Sequence, residues 1–392
     1  RGGGVKEMEV KAGEEKVQPS PTPAISEEER KRLKRELPEI RQREPWKYRR
    51  VPLEEYPDRD KALLALATAE PSQKVAYVIT LLAEIEPPQV DLAAVLVQSI
   101  IDVSSERDCV FNQFDLVAII GGTATMEGTG KSLKRLGFTV LQRDFPVKVE
   151  EIQGEYLRKT IASDGCCGEK ELLKLHAFTL TDFYRVVAVD LDVIFLRNLD
   201  PLLAMDTEIV FTVDIGMAIA KAHLPPVQGG LFVIKPSQEA FDALVGIVRK
   251  GDYFEETGWG GLYIGWNYGG KTIQGLYQYY YGKIARPELS YEADRCVYNA
   301  MYDREDDCKD VRIGSGGPDG KGLRTMHFTV CQKPTSCNPK PWCADAHKRW
   351  NELRVEVEKS KEWEPIRPCD PHGHYQPMPY PKIKTPAPAK KD

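Results

Sequence analysis

Val186-Val187-Ala188-Val189-Asp190-Leu191-Asp192-Val193-Ile194-Phe195-Leu196 is an apolar run interrupted by two carboxylates one residue apart. Its composition reads as a buried strand. Charge buried without a partner is costly, so the stretch calls for a counter-ion. A hard divalent cation that takes oxygen ligands meets that need. Residues two apart in a strand share a face, so Asp190 and Asp192 could serve one ion. Their roots would lie roughly 6–7 Å apart, which requires the strand to end or bend here. The spacing alone is weak, because Asp58-Arg59-Asp60 repeats it in a polar stretch where it carries no meaning.

Working outward, Ala76 to Leu82 and Phe114 to Ile120 read as strands, the second ending in Gly121-Gly122. Val90 to Ile101 is apolar at helical spacing, Thr125 to Leu136 suits a helix, and Phe138 to Leu141 a strand. Glu169 to Thr179 reads as a helix leading into the Asp190 strand. Strands alternating with helices imply an α/β domain with a mixed, mostly parallel sheet. Ligands in such sheets sit at the carboxyl ends of strands, and Asp190 and Asp192 fall at such an end. Beyond them, Ile209 to Val213 and Gly230 to Ile234 read as short strands, Gln238 to Arg249 as a helix, and Gly258 to Gly270 as a loop.

The 392 residues suffice for one large domain or two ordinary ones, and 42% hydrophobic content supports a real core. A net charge of −5, with no basic stripe, argues against general nucleic-acid binding. The longest apolar runs are about eight residues, well short of the ~20 that span a bilayer. The chain as given is expected to be soluble, and its start at Arg1 leaves room for a signal, transit or anchor segment to have been removed. Residues 1–73 read as a polar arm with a short charged helix after the capping box Ser26 to Glu29. That arm is either a solvated stem or a docking element for a protein partner. Residues 74–343 form the globular domain, and 344–392 a charged, then Pro-rich, extended tail.

Six of the nine cysteines, Cys296, Cys308, Cys331, Cys337, Cys343 and Cys369, crowd the last third. The spacing Cys331-x5-Cys337-x5-Cys343 is too wide for a zinc knuckle, and disulfides are the expected use. No asparagine sits in a glycosylation sequon, which weakens a secretory reading. Cys369-x2-His372-x-His374 hints at a metal site but lies in the Pro-rich tail.

Four segments follow one another in order: Leu173-Lys174-Leu175-His176, Val189-Asp190-Leu191-Asp192, Gln228-Gly229-Gly230-Leu231-Phe232, and Met326-His327-Phe328 with Lys333-Pro334. Together they resemble the glycogenin-like members of glycosyltransferase family 8, from about Val75 to Trp342. The resemblance implies a GT-A-type, Rossmann-like fold, a Mn²⁺ (or Mg²⁺) ion and a UDP-sugar donor. It implies Asp190, Asp192 and His327 as metal ligands. It places Lys174, the Asp190-Leu191-Asp192 backbone, Gln228, Gly229, Gly230, Gln274, Gly275 and Lys333 at the donor, with Gln274 and Lys174 nearest the chemistry. Lys333 matches the spacing of the family's diphosphate-binding lysine, although Lys340-Pro341-Trp342 offers a second candidate.

The chemistry suits these residue types. A leaving diphosphate develops negative charge, which a divalent cation stabilises as a Lewis acid. A lysine adds a second positive point, and glycines admit a close approach of the backbone. Each residue also has a bland reading. His327 could be a satisfied core residue, Lys174 a surface charge, Gln274 a helix cap, and the Tyr277–Tyr281 run core packing. Two departures from the family stand out. Ile273 replaces an acidic residue, and Thr80-Leu81-Leu82-Ala83-Glu84-Ile85 is largely apolar where nucleotide-binding groups are usual. Two functions are therefore expected: a metal-dependent retaining hexosyltransferase acting on a carbohydrate or protein acceptor, or a catalytically silent relative serving as a subunit of an assembly. The compartment expected is the secretory lumen, with an organelle interior as the alternative.

Overall fold

The computed structural model describes residues 74–380, apart from 107–108, 215–216, 218–225, 285–288, 312 and 314–321. The N-terminal arm with its charged helix, and the last twelve residues of the tail, lie outside the described residues. The centre is a seven-stranded sheet in the order β10-β6-β7-β4-β1-β2-β3. Its strands are β1 (Val75–Leu81), β2 (Phe114–Ile120), β3 (Thr139–Gln142), β4 (Arg185–Val189), β6 (Ile209–Val213), β7 (Val227–Ile234) and β10 (Ser290–Glu292). Neighbours along β3-β2-β1-β4 run parallel, as do β6 and β10. β7 is antiparallel to both β4 and β6. This is the mixed, mostly parallel arrangement expected from the sequence. β1 leaves towards β2 on one side and is flanked by β4 on the other, so the crevice for ligands opens at the carboxyl ends of β1 and β4.

Both sheet faces are covered, which is why β1 and β4 are almost uninterrupted runs of apolar residues. One face packs Val78, Ile119, Val186 and Phe232 against Leu172, Leu175 and Phe178 and against the helices α2 (Gln238–Lys250) and α3 (Ile273–Tyr279). The other packs Tyr77, Ile79 and Val187 against α1 (Pro87–Ser104). Tyr277 and Tyr281 are fully buried in the first of these cores, so the tyrosine run is packing.

Three stretches depart from the expected elements. Residues 344–360 are not extended but form a helix, α4 (Ala344–Ser360), which packs Trp350 and Leu353 against Leu92 and Val95 of α1. Its apolar residues recur every three to four positions among charges, a helical period that the high charge content obscured. Gly168–Thr179 winds as 3₁₀ turns, not as an α-helix. Three residues per turn stack Leu172, Leu175 and Phe178 in one buried row, and Glu171 and Lys174 in another. The helix expected from Thr125 begins with a wider π turn, Met126–Gly130, before α-helical Lys131–Arg135.

Three disulfides staple the last third: Cys296–Cys308, Cys331–Cys343 and Cys337–Cys369. The last consumes Cys369, while His372 and His374 are exposed, and His374 reaches only Asp370. Among the described residues, the metal hint in the tail therefore has no ligand cluster behind it. No helix among the described residues is long and apolar enough to cross a membrane.

Candidate active site

β4 ends at Val189, and the chain turns through Asp190-Leu191-Asp192 before resuming as β5 (Val193–Phe195) in a separate two-stranded sheet. The break required for two carboxylates to reach one ion is therefore present. Two contacts fix the turn: Asp190 N–H donates to the Gly230 carbonyl at 3.0 Å, and Phe328 N–H to the Asp192 carbonyl at 2.9 Å. β5 pairs antiparallel with β11 (Thr325–His327), setting His327 opposite Val193. That pairing joins residues more than 130 positions apart in the chain. The imidazole Nε2 lies 3.5 Å from Asp192 Oδ1 and 3.9 Å from Asp190 Oδ2. The ligand atoms of Asp190, Asp192 and His327 all fall within 4.8 Å of one another.

Two lysines close the cluster. Lys174 Nζ donates to Asp190 Oδ1 at 2.8 Å and to the Gly229 carbonyl at 3.0 Å, and pairs with Glu171 at 3.0 Å. Burial opposes its charge, but Asp190 and Glu171 hold the ammonium above its ordinary range. Lys333 Nζ stands 3.2 Å from Asp192 Oδ2, with a side chain 58% exposed. Asp192 is 5% exposed; burial would push its carboxyl up, but His327 and Lys333 hold it well below the usual carboxylate range. The alternative lysine, Lys340, lies over the Trp342 ring at 5.6 Å.

The donor set suits a divalent cation. Two carboxylates and an imidazole form a hard-to-borderline ligand set. Counting Glu171, three carboxylates converge here with two lysines and the imidazole. His327 is 1% exposed and its Nδ1 has no protein partner, so Nε2, aimed at the carboxylates, is the ring atom placed to ligate.

Other expected donor residues divide. Gly230 sits against the imidazole, and a Cβ at Gly229 would meet the side chain of Gln274 at 3.6 Å, an ordinary contact. Gln274 Nε2 donates to the Val227 carbonyl, which holds the carboxamide beside β7. Gln228 points inward: its Oε1 accepts from Gly230 N–H at 2.5 Å and from the Asn299 amide at 2.9 Å, and Asn299 also donates to Thr212. It braces β7 from behind. Leu191 packs its side chain between two cores. Gly275 allows α3 to approach the loop, since a Cβ there would lie 2.0 Å from the Gly270 carbonyl oxygen. Ile273 is fully buried.

Two residues not singled out from the sequence shape the site. Glu171 positions Lys174, and its place three residues ahead of that lysine was the available signal. Glu84, in the loop after β1, accepts from the backbone N–H and hydroxyl groups of both Thr125 and Thr129, at 2.5 to 2.9 Å. Its carboxylate thus caps the helical segment beginning at Met126.

No known family profile and no curated protein matches this sequence. Several solved structures are similar in chain path. The apo bifunctional glycosyltransferase WbbM matches with a TM-score of 0.42 and 12% identity, covering 74% of this chain and 52% of WbbM. The chain thus spans about half the length of WbbM. An active-site mutant of LgtC matches with a TM-score of 0.44 and 11% identity, over 72% of this chain and 96% of LgtC. Glucosyl-3-phosphoglycerate synthase from Mycobacterium tuberculosis, in complex with Mg²⁺ and UDP, matches with a TM-score of 0.29 and 15% identity, over 59% and 72% of the two chains. At this level of similarity, what the site does has to be read from its own geometry.

Proposed function

We propose that the protein is a metal-dependent retaining glycosyltransferase that moves a hexose from a UDP-linked donor to a carbohydrate or protein acceptor. The observation that carries this reading is the convergence of Asp190, Asp192 and His327 with a partly exposed lysine, Lys333, at the carboxyl end of a central strand. Asp190, Asp192 and His327 would hold Mn²⁺ or Mg²⁺, which when bound would supply Lewis-acid stabilisation to a leaving diphosphate. Lys333 is free to swing from Asp192 towards that diphosphate and add a point charge. Lys174 fixes the orientation of Asp190 and, through the Gly229 carbonyl, the edge of β7 on which a sugar would lie. Ile273 and Gln274 offer no carboxylate on that edge, which favours attack by the acceptor from the face the leaving group vacates.

One observation favours the second reading, a catalytically silent accessory subunit. Glu84, in the loop after β1, already occupies the N–H groups of Thr125 and Thr129 with its own carboxylate, so those donors are not open to an anionic ligand. Titrating UDP into the protein by calorimetry, with Mn²⁺ and then with EDTA, separates the two. Binding that needs Mn²⁺ and disappears in Asp192→Ala supports the enzyme; no binding under either condition supports the silent subunit. The three disulfides support an oxidising compartment such as the secretory lumen.

A further inference from the structure

Three cysteines stay outside the disulfides: Cys109, Cys166 and Cys167. Cys109 is buried, where its thiol meets Asp200. The other two are neighbours in the chain, on a turn flanked by Gly165 and Gly168, both in the left-handed region at φ +60° and +59°. Cys166 is exposed and Cys167 half-buried, and their sulfurs stand 2.8 Å apart. A disulfide bond is about 2.05 Å long, so the sulfurs are near enough to close; adjacent Cα atoms lie about 3.8 Å apart, under the ~4.4 Å usual in disulfides, so the closed ring is strained and easily reduced. The turn is anchored to the site on both sides. Asp164 accepts from Lys271 N–H at 2.8 Å and pairs with its ammonium at 3.2 Å, tying the turn to the loop that leads into Gln274. On the other side, Cys166 Sγ lies 3.7 Å from Glu171, the residue that shares Lys174 with Asp190.

We propose that Cys166 and Cys167 are a site of reversible oxidation, closing to a disulfide between adjacent residues that resets the Glu171–Lys174–Asp190 chain. The oxidant is a disulfide of the glutathione class. Cys166 attacks it, forming a mixed disulfide and releasing one thiol; Cys167 then attacks the Cys166 sulfur and releases the second. The two thiol protons of the protein leave on the two released thiols. Two electrons pass from the pair to the oxidant, and a dithiol reductant reverses the step. A cation held by the same three side chains is the less favoured use. The Lys174 ammonium already occupies Glu171, which leaves that carboxylate unavailable to a cation. Burial holds both thiols above their ordinary range, so the exchange runs on a small thiolate fraction and is slow, without a change in its end point.

The consequence follows from donors. The thiols contribute hydrogen bonds to Glu171 that a disulfide cannot make. Glu171 then draws more on Lys174, and Lys174 competes less for Asp190. On the metal reading above, the oxidised protein should hold Mn²⁺ severalfold more tightly than the reduced one.

The bond itself does not depend on that reading and is tested first. The full chain, with its three disulfides intact, is equilibrated with oxidised or reduced glutathione, quenched with N-ethylmaleimide and digested with trypsin. Cleavage after Lys159 and Lys170 isolates both cysteines in one peptide that contains no other. The expected result is a peptide lacking two hydrogens and carrying no label after oxidised glutathione, and two labels after reduced glutathione. Two labels, or glutathione on either cysteine, under oxidising conditions would overturn the proposal. So would protection of both thiols by Zn²⁺ alone. Mn²⁺ titration of the oxidised and reduced forms, with Cys166→Ser as the form that cannot close, then reads the coupling. Equal affinity in both redox forms overturns the coupling. Absence of Mn²⁺ binding in every form counts against the metal site and leaves the mapped disulfide standing.

Discussion

The imidazole of His327 occupies the space that a side chain at Gly230 would need: a Cβ there would lie 2.2 Å from Cε1 and 2.7 Å from Nδ1. No rotation of a methyl relieves such a contact, because the obstacle is a ring packed in the core. The glycine at 230 is therefore a condition for the histidine to face Asp190 and Asp192. Gly230→Ala should displace His327 and weaken Mn²⁺-dependent UDP binding by about 10–100-fold, the usual range when support of a metal ligand is lost. Gly246→Ala, on α2 and away from the site, is the control, since nothing lies within 4 Å of a Cβ there. Calorimetry on the two variants decides it; normal binding by Gly230→Ala would remove His327 from the site.

Lys174 is the only cation that touches both Glu171 and Asp190 among the described residues. Lys174→Met leaves two carboxylates facing each other with little access to solvent, and should cost about 3 kcal/mol, in the range for breaking a buried pair. Adding Glu171→Gln should return part of that loss, because one of the stranded charges is gone. A lysine held above its ordinary range contributes fully below its unfolded value and loses its contribution only as pH rises past it. The difference between wild type and Lys174→Met should therefore be flat between about pH 6 and pH 9. Urea denaturation of the three proteins across that interval provides the measurement. A double variant no more stable than the single one would contradict the pairing.

The strand carrying Asp190 was legible because buried parallel strands are continuous apolar runs, and charge within one stands out. β1, β2, β6 and the Asp-x-Asp turn were read this way, each to within a residue or so. His327 could not be reached by the same route. It enters the site through the pairing of β11 with β5, and a pairing across so long a separation leaves no local mark. Spacing after His327 favoured Lys333, with Lys340 as a second candidate; the structure sets Lys333 beside Asp192 and Lys340 over the Trp342 ring. Helix α4 was misread as extended tail because its burial stripe is diluted by charge: Arg354 and Glu358 are themselves buried, paired at 3.2 Å. The connectivity of the disulfides depends on where α4 lies, so it was equally out of reach. Gln228 was read as a ligand contact but faces the core, since a one-residue difference along β7 reverses the direction of a side chain.

Lys333 and Lys340 provide a direct comparison. Lys333→Ala should weaken UDP binding by about tenfold, the effect of roughly 1.4 kcal/mol from a lost charge contact. Its side chain is more than half exposed, so thermal stability should change little. Lys340→Ala should leave UDP affinity unchanged. Parallel UDP titrations and thermal melts test this, and an affinity loss in Lys340→Ala alone would reverse the assignment.

Asp91 on α1 holds the final described segment in place. Its Oδ2 accepts from the Tyr375 hydroxyl at 2.7 Å and from Met378 N–H at 2.9 Å, while Oδ1 is buried without a partner. Burial raises this carboxyl to about 6, against the opposing pull of the Met378 and Tyr375 hydrogen bonds and of Arg354. The sign follows from proton binding. Between the ordinary aspartate value of about 3.9 and about 6, the folded state binds more protons at this site than the unfolded one. Stability from this group is therefore fully present below that interval and lost as pH rises through it, by up to about 2–3 kcal/mol. Asp91→Asn keeps an oxygen for both donors and removes the charge. It should be more stable than wild type at pH 7 and lose that advantage as pH falls towards about 4. Chemical denaturation of both proteins at several pH values measures the crossover. An advantage for Asp91→Asn that does not shrink on acidification would show that Asp91 is ionised throughout and that its second oxygen has a partner.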